Sequence, residues 1–262
     1  MADFTAKDVK SLRDATGAGM MDAKKALTEA NGDAEAATQI LREKGLSKAA
    51  KRSDRDNADG AVAMAQDANK VAVVLLRSET DFSAKSEDFV AVAQKLADVA
   101  LAGGDPAADC ATDIEDLKLT KKENIDVGAV HLIEAGDGNT LDTYLHVQDG
   151  RGTIGVVVEG NAVSEEALHS IALHVAFANP RFLNRDEVSE EDAAKERVAL
   201  LEITKSEGKP EQAWDKIVEG RLSAWYKESV LLEQGLNGDK VSVAETAAPG
   251  TVVRFVQARV GA

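Results

Sequence analysis

The sequence is poor in the residues that build several common kinds of protein. It has one cysteine, four prolines and 4% aromatic residues in 262 positions. The lone Cys110 excludes an internal disulfide and fits a reducing compartment. No apolar run reaches the length that crosses a bilayer, and residues 1–5 lack the regions of a signal peptide. We therefore expect a cytoplasmic protein without membrane association.

Positive charge is also scarce, because 31 Lys and Arg stand against 46 Asp and Glu, for a formal net charge of −15. This charge opposes condensation on a polyphosphate backbone, so we expect no direct nucleic acid binding. Residues 42–55 are the local exception, since they are rich in Lys and Arg. A solvated linker helix is the favoured interpretation of this segment, and a phosphate-facing patch is the alternative.

Motifs for covalent chemistry are missing as well. The chain has no P-loop, no dinucleotide-binding glycine motif, no H-E-x-x-H and no G-x-S-x-G. The four histidines are scattered, and the spacing of His169 and His174 does not suit a shared metal on one helix face. We therefore expect no enzymatic activity and no cofactor. His146 is kept as a candidate surface contact, because it lies near a strand end beside a turn.

What the sequence does contain is a series of helix and strand signals, which predicts an α+β fold with antiparallel sheets. Gly45 is expected to end a third helix, and residues 105–124 are expected to form a short helix and a loop. Ile203 and Leu222 are expected in the seam of a helical hairpin. The predicted parts are a three-helix domain over 1–45, a basic linker over 46–59, one half of a two-part core over 60–125, its second half over 126–185 and 234–262, and the helical hairpin over 186–233.

The most informative stretch is the connection over residues 78–86, which joins an apolar strand to a helix that begins near Ser86. Phe82 and its neighbour Asp81 lie in this connection, and connections tend to carry function. The spacing alone favours Phe82 packing back on the following helix as a hydrophobic staple. The alternative is an apolar probe that enters a partner protein.

Four separate blocks of the sequence closely resemble the bacterial translation elongation factor Ts family. These blocks are residues 9–27 with 29–33 and 41–45, Glu79-Thr80-Asp81-Phe82, residues 171–176 with 179–183, and residues 207–210 with 217–222. They occur in order along almost the whole chain. The resemblance implies an N-terminal three-helix domain like ubiquitin-associated domains, a two-part α+β core and a protruding antiparallel helical hairpin.

The resemblance further implies a guanine nucleotide exchange factor for elongation factor Tu, the GTPase that carries aminoacyl-tRNA. Such a factor binds the GDP-bound and nucleotide-free GTPase, performs no covalent chemistry and is displaced by GTP. The residues implied to disturb the Mg²⁺ and phosphate site are Thr80, Asp81, Phe82 and Ser83. The residues implied to contact the GTPase elsewhere are Arg13, Met20, Met21 and His146.

Two departures from the family pattern bear on the implied contacts. Ser83 stands where the family usually has valine, which makes the loop less apolar. Residues 235–239 replace a Pro-Phe stretch, so contacts by that segment are not carried over. The alternative function is a scaffold or adaptor that binds through the three-helix domain without affecting nucleotide.

Overall fold

The computed structural model describes residues 4–261, over which the chain forms eleven α-helices and six β-strands. The helices are α1 (Ala6–Thr16), α2 (Met20–Glu29), α3 (Ala34–Ala50), α4 (Asp81–Ala84), α5 (Glu87–Leu101), α6 (Pro106–Asp109), α7 (Ala111–Lys121), α8 (Glu165–Ala178), α9 (Glu190–Ser206), α10 (Trp214–Ser229) and α11 (Val243–Ala247). The strands are β1 (Asp59–Gln66), β2 (Lys70–Ser78), β3 (Asp126–Glu134), β4 (Asn139–Gln148), β5 (Arg151–Asn161) and β6 (Thr251–Arg259). Neighbouring strands pair antiparallel, so the predicted α+β class is confirmed.

The first three helices share a small apolar core, which consists of Val9, Leu12, Ala23, Ala26, Leu27 and Ala37. α1 begins with the predicted capping box of Thr5 and Asp8. The prediction that Gly45 ends the third helix is wrong, because α3 continues to Ala50. Gly45 instead lets α3 approach α7, since a side chain at this position would overlap Leu119.

The basic side chains of residues 42–55 are largely paired with acidic neighbours. The pairs are Arg42 with Glu115, Lys44 with Glu29, Lys48 with Asp22 and Arg55 with Glu79. Two of these pairs link the segment to α7 and to the residues that follow β2. Internal carboxylates therefore balance much of this charge, which favours the linker interpretation over a phosphate patch.

The six strands form one sheet that is folded into two layers, which are joined where β1 pairs with β5. Their order is β3-β2-β1-β5-β4, and β6 also pairs with β5. Val62 of β1 and Gly152 of β5 are the registered pair at the junction. A buried cluster between the layers contains Val62 and Val73 from one and Val157 from the other. Gly155 permits this contact, because a Cβ there would lie 2.7 Å from Val62 Cγ1 and 2.9 Å from Val73 Cγ1.

Helices cover the outer faces of both layers. α5 packs on β1 and β2, where Phe89 and Leu96 are buried, and α7 packs on α5. In the second layer α8 packs on β4 and β5, and α11 packs on α8 and β6. α7 forms where a short helix and loop were predicted, because Ile114 and Leu117 bury one helical face against α5. β3 pairs with β2, so this strand lies in the first layer although its sequence position groups it with the second half of the core.

α9 and α10 contact each other through a partly polar seam. Arg221 of α10 donates hydrogen bonds to the Glu207 carboxylate at 2.7 Å and to Thr204 Oγ1 at 3.2 Å. Leu222 is buried as predicted, but the prediction for Ile203 is wrong, because Thr204 is buried in its place. Thr204 is the seam residue at this turn of α9, since its hydroxyl is the group that Arg221 reaches.

Candidate partner-binding site

The connection over residues 79–86, called here the Phe82 connection, presents one aromatic ring to solvent. The Phe82 side chain is 86% exposed, whereas Phe89, two turns further along the chain, is fully buried beneath α5. The prediction that Phe82 packs as a staple on the following helix is therefore wrong. Phe89 fills the core of this helix, and the ring of Phe82 is left available to a partner.

A one-turn helix, α4, holds Phe82 where a loop was predicted. Thr80 caps this helix with an extended backbone, and its Oγ1 accepts a hydrogen bond from the Ser83 N–H at 3.4 Å. The Ser86 hydroxyl donates to the Ser83 carbonyl at 2.6 Å, at the point where α5 begins. Ser83 is itself buried, so the apolar surface that α4 presents comes from Phe82.

Glu123, which follows α7, anchors the Phe82 connection from below. Its Oε1 accepts a hydrogen bond from the Thr80 hydroxyl at 2.6 Å, and its Oε2 accepts the backbone N–H groups of Glu79 and Thr80 at 3.1 Å each. The Asn124 N–H donates in turn to Glu79 Oε1 at 2.6 Å. A ring held on such a support loses little conformational freedom on binding, which favours affinity.

The Asp81 carboxylate is occupied by an ion pair. Lys85 Nζ lies 2.8 Å from Asp81 Oδ2 and 3.0 Å from Asp149 Oδ2, in the turn between β4 and β5. The hydrogen bond from Lys85 is the main cause that holds the pKa of Asp81 below its usual value. Hydrogen bonds to Asp81 and then Asp149 raise the pKa of Lys85. Asp81 and Lys85 therefore both stay charged at neutral pH.

His146 belongs to a group of three rings, called here the β4 aromatic cluster. The Tyr144 hydroxyl lies 3.0 Å from His146 Nδ1, and Phe177 of α8 packs edge-on to His146 with ring centroids 5.8 Å apart. Phe177 is 66% exposed, whereas His146 is half-buried. Sequence reasoning missed Tyr144 and Phe177. The spacing of two positions between Tyr144 and His146, which places both on one face of a strand, was the available signal for Tyr144.

Comparison with known proteins decides the family. The family model described as elongation factor Ts matches residues 79–262 of this chain. The chain is 44% identical to Elongation factor Ts of Cutibacterium acnes, over 98% of this chain and 99% of the relative. It is 41% identical to that of Clavibacter sepedonicus over the full length of both, and 37% identical to that of Deinococcus deserti over 98% and 99%. The chain belongs to the elongation factor Ts family.

This elongation factor Ts family membership confirms the resemblance seen in the four sequence blocks and supports a role in translation elongation. The region matched by the family model begins at Glu79, so it includes the Phe82 connection, α5 to α11 and the β4 aromatic cluster. The relatives also cover the first three helices, because they align over nearly the whole chain.

The structure of this family member brings two of the predicted contact regions near each other. Lys85 ties the Phe82 connection to Asp149, and His146 lies on the strand that leads to that turn. Arg13, Met20 and Met21 lie on the first three helices, outside their apolar core. Met20 and Met21 are exposed at the start of α2, and Arg13 is exposed on α1.

Metal binding and membrane binding each require a particular arrangement of residues. Across residues 4–261, no group of three or more His, Cys, Asp or Glu side chains is arranged to hold a metal ion. None of the helices within that range combines the length and the apolar character that a membrane span needs. Cys110 is fully buried, and this burial raises the pKa of its thiol.

Proposed function

We propose that this chain is a guanine nucleotide exchange factor for elongation factor Tu. It binds the GDP-bound GTPase in the cytoplasm, promotes GDP release through the Phe82 connection and is displaced when GTP binds. The observation that carries this proposal is the exposed ring of Phe82 on a prebuilt support, in a chain of the elongation factor Ts family. In this proposal Thr80 and Asp81 shape the connection that delivers the ring.

The physical basis is competition between two binding events. GDP affinity rests on phosphate contacts and on Mg²⁺, which bridges the phosphates to the GTPase. A ring that becomes buried only after nearby elements of the GTPase have moved stabilises the moved state, in which this site is weaker. Burial of one phenylalanine is worth about 1.5–3 kcal/mol, or roughly tenfold to a hundredfold in GDP affinity when fully coupled.

Thermodynamic linkage makes the effect reciprocal. If the factor weakens nucleotide binding, then nucleotide weakens the binding of the factor by the same free energy. A tightly held complex without nucleotide is therefore dismantled by incoming GTP. No covalent step is required of the factor.

The remaining contacts would supply affinity. We assign this role to Arg13, Met20 and Met21 of a domain like ubiquitin-associated domains, and to His146. Met21 is 63% exposed, and flexible thioethers adapt well to a partner surface. An adaptor would use the same surface but would leave nucleotide release unchanged, which separates the two functions experimentally.

The decisive test is stopped-flow release of a fluorescent GDP analogue from elongation factor Tu at high and low free Mg²⁺. We expect the wild-type protein to accelerate release, and Phe82→Ala to reduce the acceleration by roughly tenfold or more, mainly at high Mg²⁺. Val198→Ala is the matched control, because Val198 is also an exposed apolar side chain but lies on α9.

Different outcomes refute the exchange function and the role of the Phe82 connection. Binding of the wild-type protein without faster release refutes the exchange function and favours an adaptor. If the wild-type protein accelerates release, and Phe82→Ala and Val198→Ala reduce this acceleration equally, the role of the Phe82 connection is refuted. The exchange function then still stands.

A further inference from the structure

We propose that Lys85 is a positioning residue for nucleotide exchange, because it bridges Asp81 and Asp149 and thereby fixes the Phe82 connection on the turn between β4 and β5. This inference rests on the proposed function. It also assigns a role to Asp81, which acts as one end of the bridge rather than as a free carboxylate aimed at Mg²⁺.

The bridge is fixed from both sides. Lys85 follows α4 directly and reaches back four positions to Asp81 at 2.8 Å. Asp149 approaches from the other layer at 3.0 Å, and its left-handed backbone (φ 53°) holds it in the tight turn after β4. Charge-assisted hydrogen bonds to two carboxylates leave the ammonium little freedom, so α4 cannot swing without breaking one of them.

The other cation near Asp81 is already committed. Arg151 is buried at the start of β5, and its guanidinium donates to the Asp59 carboxylate and to the Gly60 carbonyl of β1. Arg151 lies on β5, and Asp59 and Gly60 lie on β1, so these contacts cross the junction between the layers. Arg151 therefore secures the junction, and Lys85 is the side chain that directly pairs with Asp81.

The bridge has a mechanical consequence for the exposed ring. Glu123 holds the backbone of Thr80 from the side of α7, whereas Lys85 holds the C-terminal end of α4 from the side of β4. Phe82 lies between these two anchors. If only the first anchor is present, α4 keeps its cap but gains freedom to tilt, and binding must then order it again.

The test compares three variants in the GDP release assay with elongation factor Tu. We expect Lys85→Met to slow release by about fivefold, because binding must then order α4 again. We expect Lys85→Arg to restore release to within about twofold of wild type, because it keeps the charge and the reach. Lys95→Met is the matched control, since Lys95 pairs with Asp113 at 2.7 Å on α5, outside the site.

A double-mutant cycle sharpens the test. If Asp81 acts through the bridge, Asp81→Asn combined with Lys85→Met loses no more than the worse single variant. Additive losses would show that Asp81 acts independently and would overturn the proposal. Equal release by Lys85→Met and Lys95→Met would overturn it as well, while leaving the exchange function intact.

A measurement on the isolated protein keeps the two proposals distinguishable. Carbon NMR of the Asp81 carboxyl should show that its pKa rises toward the usual aspartate value in Lys85→Met, with an unchanged thermal unfolding midpoint. An unmoved Asp81 pKa would refute the bridge, whatever the release assay shows. A moved pKa together with no acceleration by wild-type protein would refute the exchange function instead.

Discussion

The two layers carry similar units of hairpin and helix, but the units differ in how the strand is joined to the helix. Residues 79–86 separate β2 from α5 and include α4, whereas residues 162–164 lead from β5 directly into α8, which Ser164 caps. Both helices bury an apolar face of comparable character. The comparison teaches that the core does not need the longer connection, which is therefore available for function.

The exposed phenylalanine rings of the two units also differ in how much they contact the rest of the fold. Phe82 lies in α4, ahead of α5, and projects into solvent, whereas Phe177 lies near the end of α8 and packs against His146 and Tyr144. Phe82 thus has more apolar surface to bury in a partner. Phe177 already contributes to the fold on which it lies.

The largest expected effect separates the two phenylalanines of the first unit. Phe89→Ala should lower the free energy of unfolding by about 3–5 kcal/mol, because it leaves a cavity beneath α5. Phe82→Ala should change it by less than about 0.5 kcal/mol, because this ring is exposed. Urea unfolding followed by circular dichroism measures both values, and similar losses would break the comparison.

The next effect concerns the buried carboxylate of the second unit. Burial favours the neutral form of Glu159, but hydrogen bonds from Asn139, the Gly136 N–H and Arg254 outweigh it and hold the pKa of Glu159 below its usual value. A lowered pKa in the folded state stabilises the protein above the usual glutamate pKa, and this stability is lost as pH falls through the lowered value.

Replacing this carboxylate should therefore be costly at neutral pH. Glu159→Gln should lower the free energy of unfolding by about 2 kcal/mol at pH 7, with a smaller loss near pH 3. Glu134→Gln is the control, because Glu134 forms an exposed pair with Lys70. Unfolding titrations at pH 7 and near pH 3 measure the two losses of unfolding free energy. A loss that is the same at both pH values would contradict the role assigned to the charge.

Phe177 tests whether the two exposed rings have different roles. Phe177→Ala should lower the free energy of unfolding by about 1 kcal/mol, since it removes the packing on His146 and Tyr144. It should change GDP release at saturating factor by less than about twofold, because Phe82 remains. A loss of release as large as that of Phe82→Ala would show that both units act on nucleotide.

The smallest effect is the pH dependence of the Lys85 bridge. The lowered pKa of Asp81 means that the bridge is complete above the usual aspartate value and is lost as pH falls through the lowered value. The raised pKa of Lys85 means that it persists below the usual lysine value and is lost as pH rises through the raised value. The ratio of release rates of wild type and Lys85→Met should therefore vary by less than about twofold between pH 6 and 9.

Local chemistry was the part of the fold that could be predicted. The Thr5 and Asp8 capping box and the Ser164 cap were found because each depends on neighbours within one turn. The predicted helix end at Gly45 failed, since the role of this glycine depends on Leu119 far along the chain. α7 was underestimated for the same reason, because burial against α5 decides it.

The same distinction between local and long-range contacts applies to the candidate site. The position of Phe82 in a connection followed from the flanking strand and helix, but its exposure depends on Phe89 filling the core. The pairing of Lys85 with Asp149 arises only when the two layers meet. Phe177 reaches His146 through the packing of α8 on β4, for which no local signal exists.

The pairing of β5 with β6 has a consequence for biosynthesis. β6 supplies Arg254, which pairs with the buried Glu159, and Val252, which completes the apolar core under α8. Until residues 251–259 have left the ribosome, Glu159 therefore lacks its ion-pair partner and the apolar core under α8 is incomplete. The first three helices, whose core uses only nearby residues, can fold long before. We expect ribosome-stalled nascent chains to acquire hydrogen-exchange protection in β5 only after β6 has emerged.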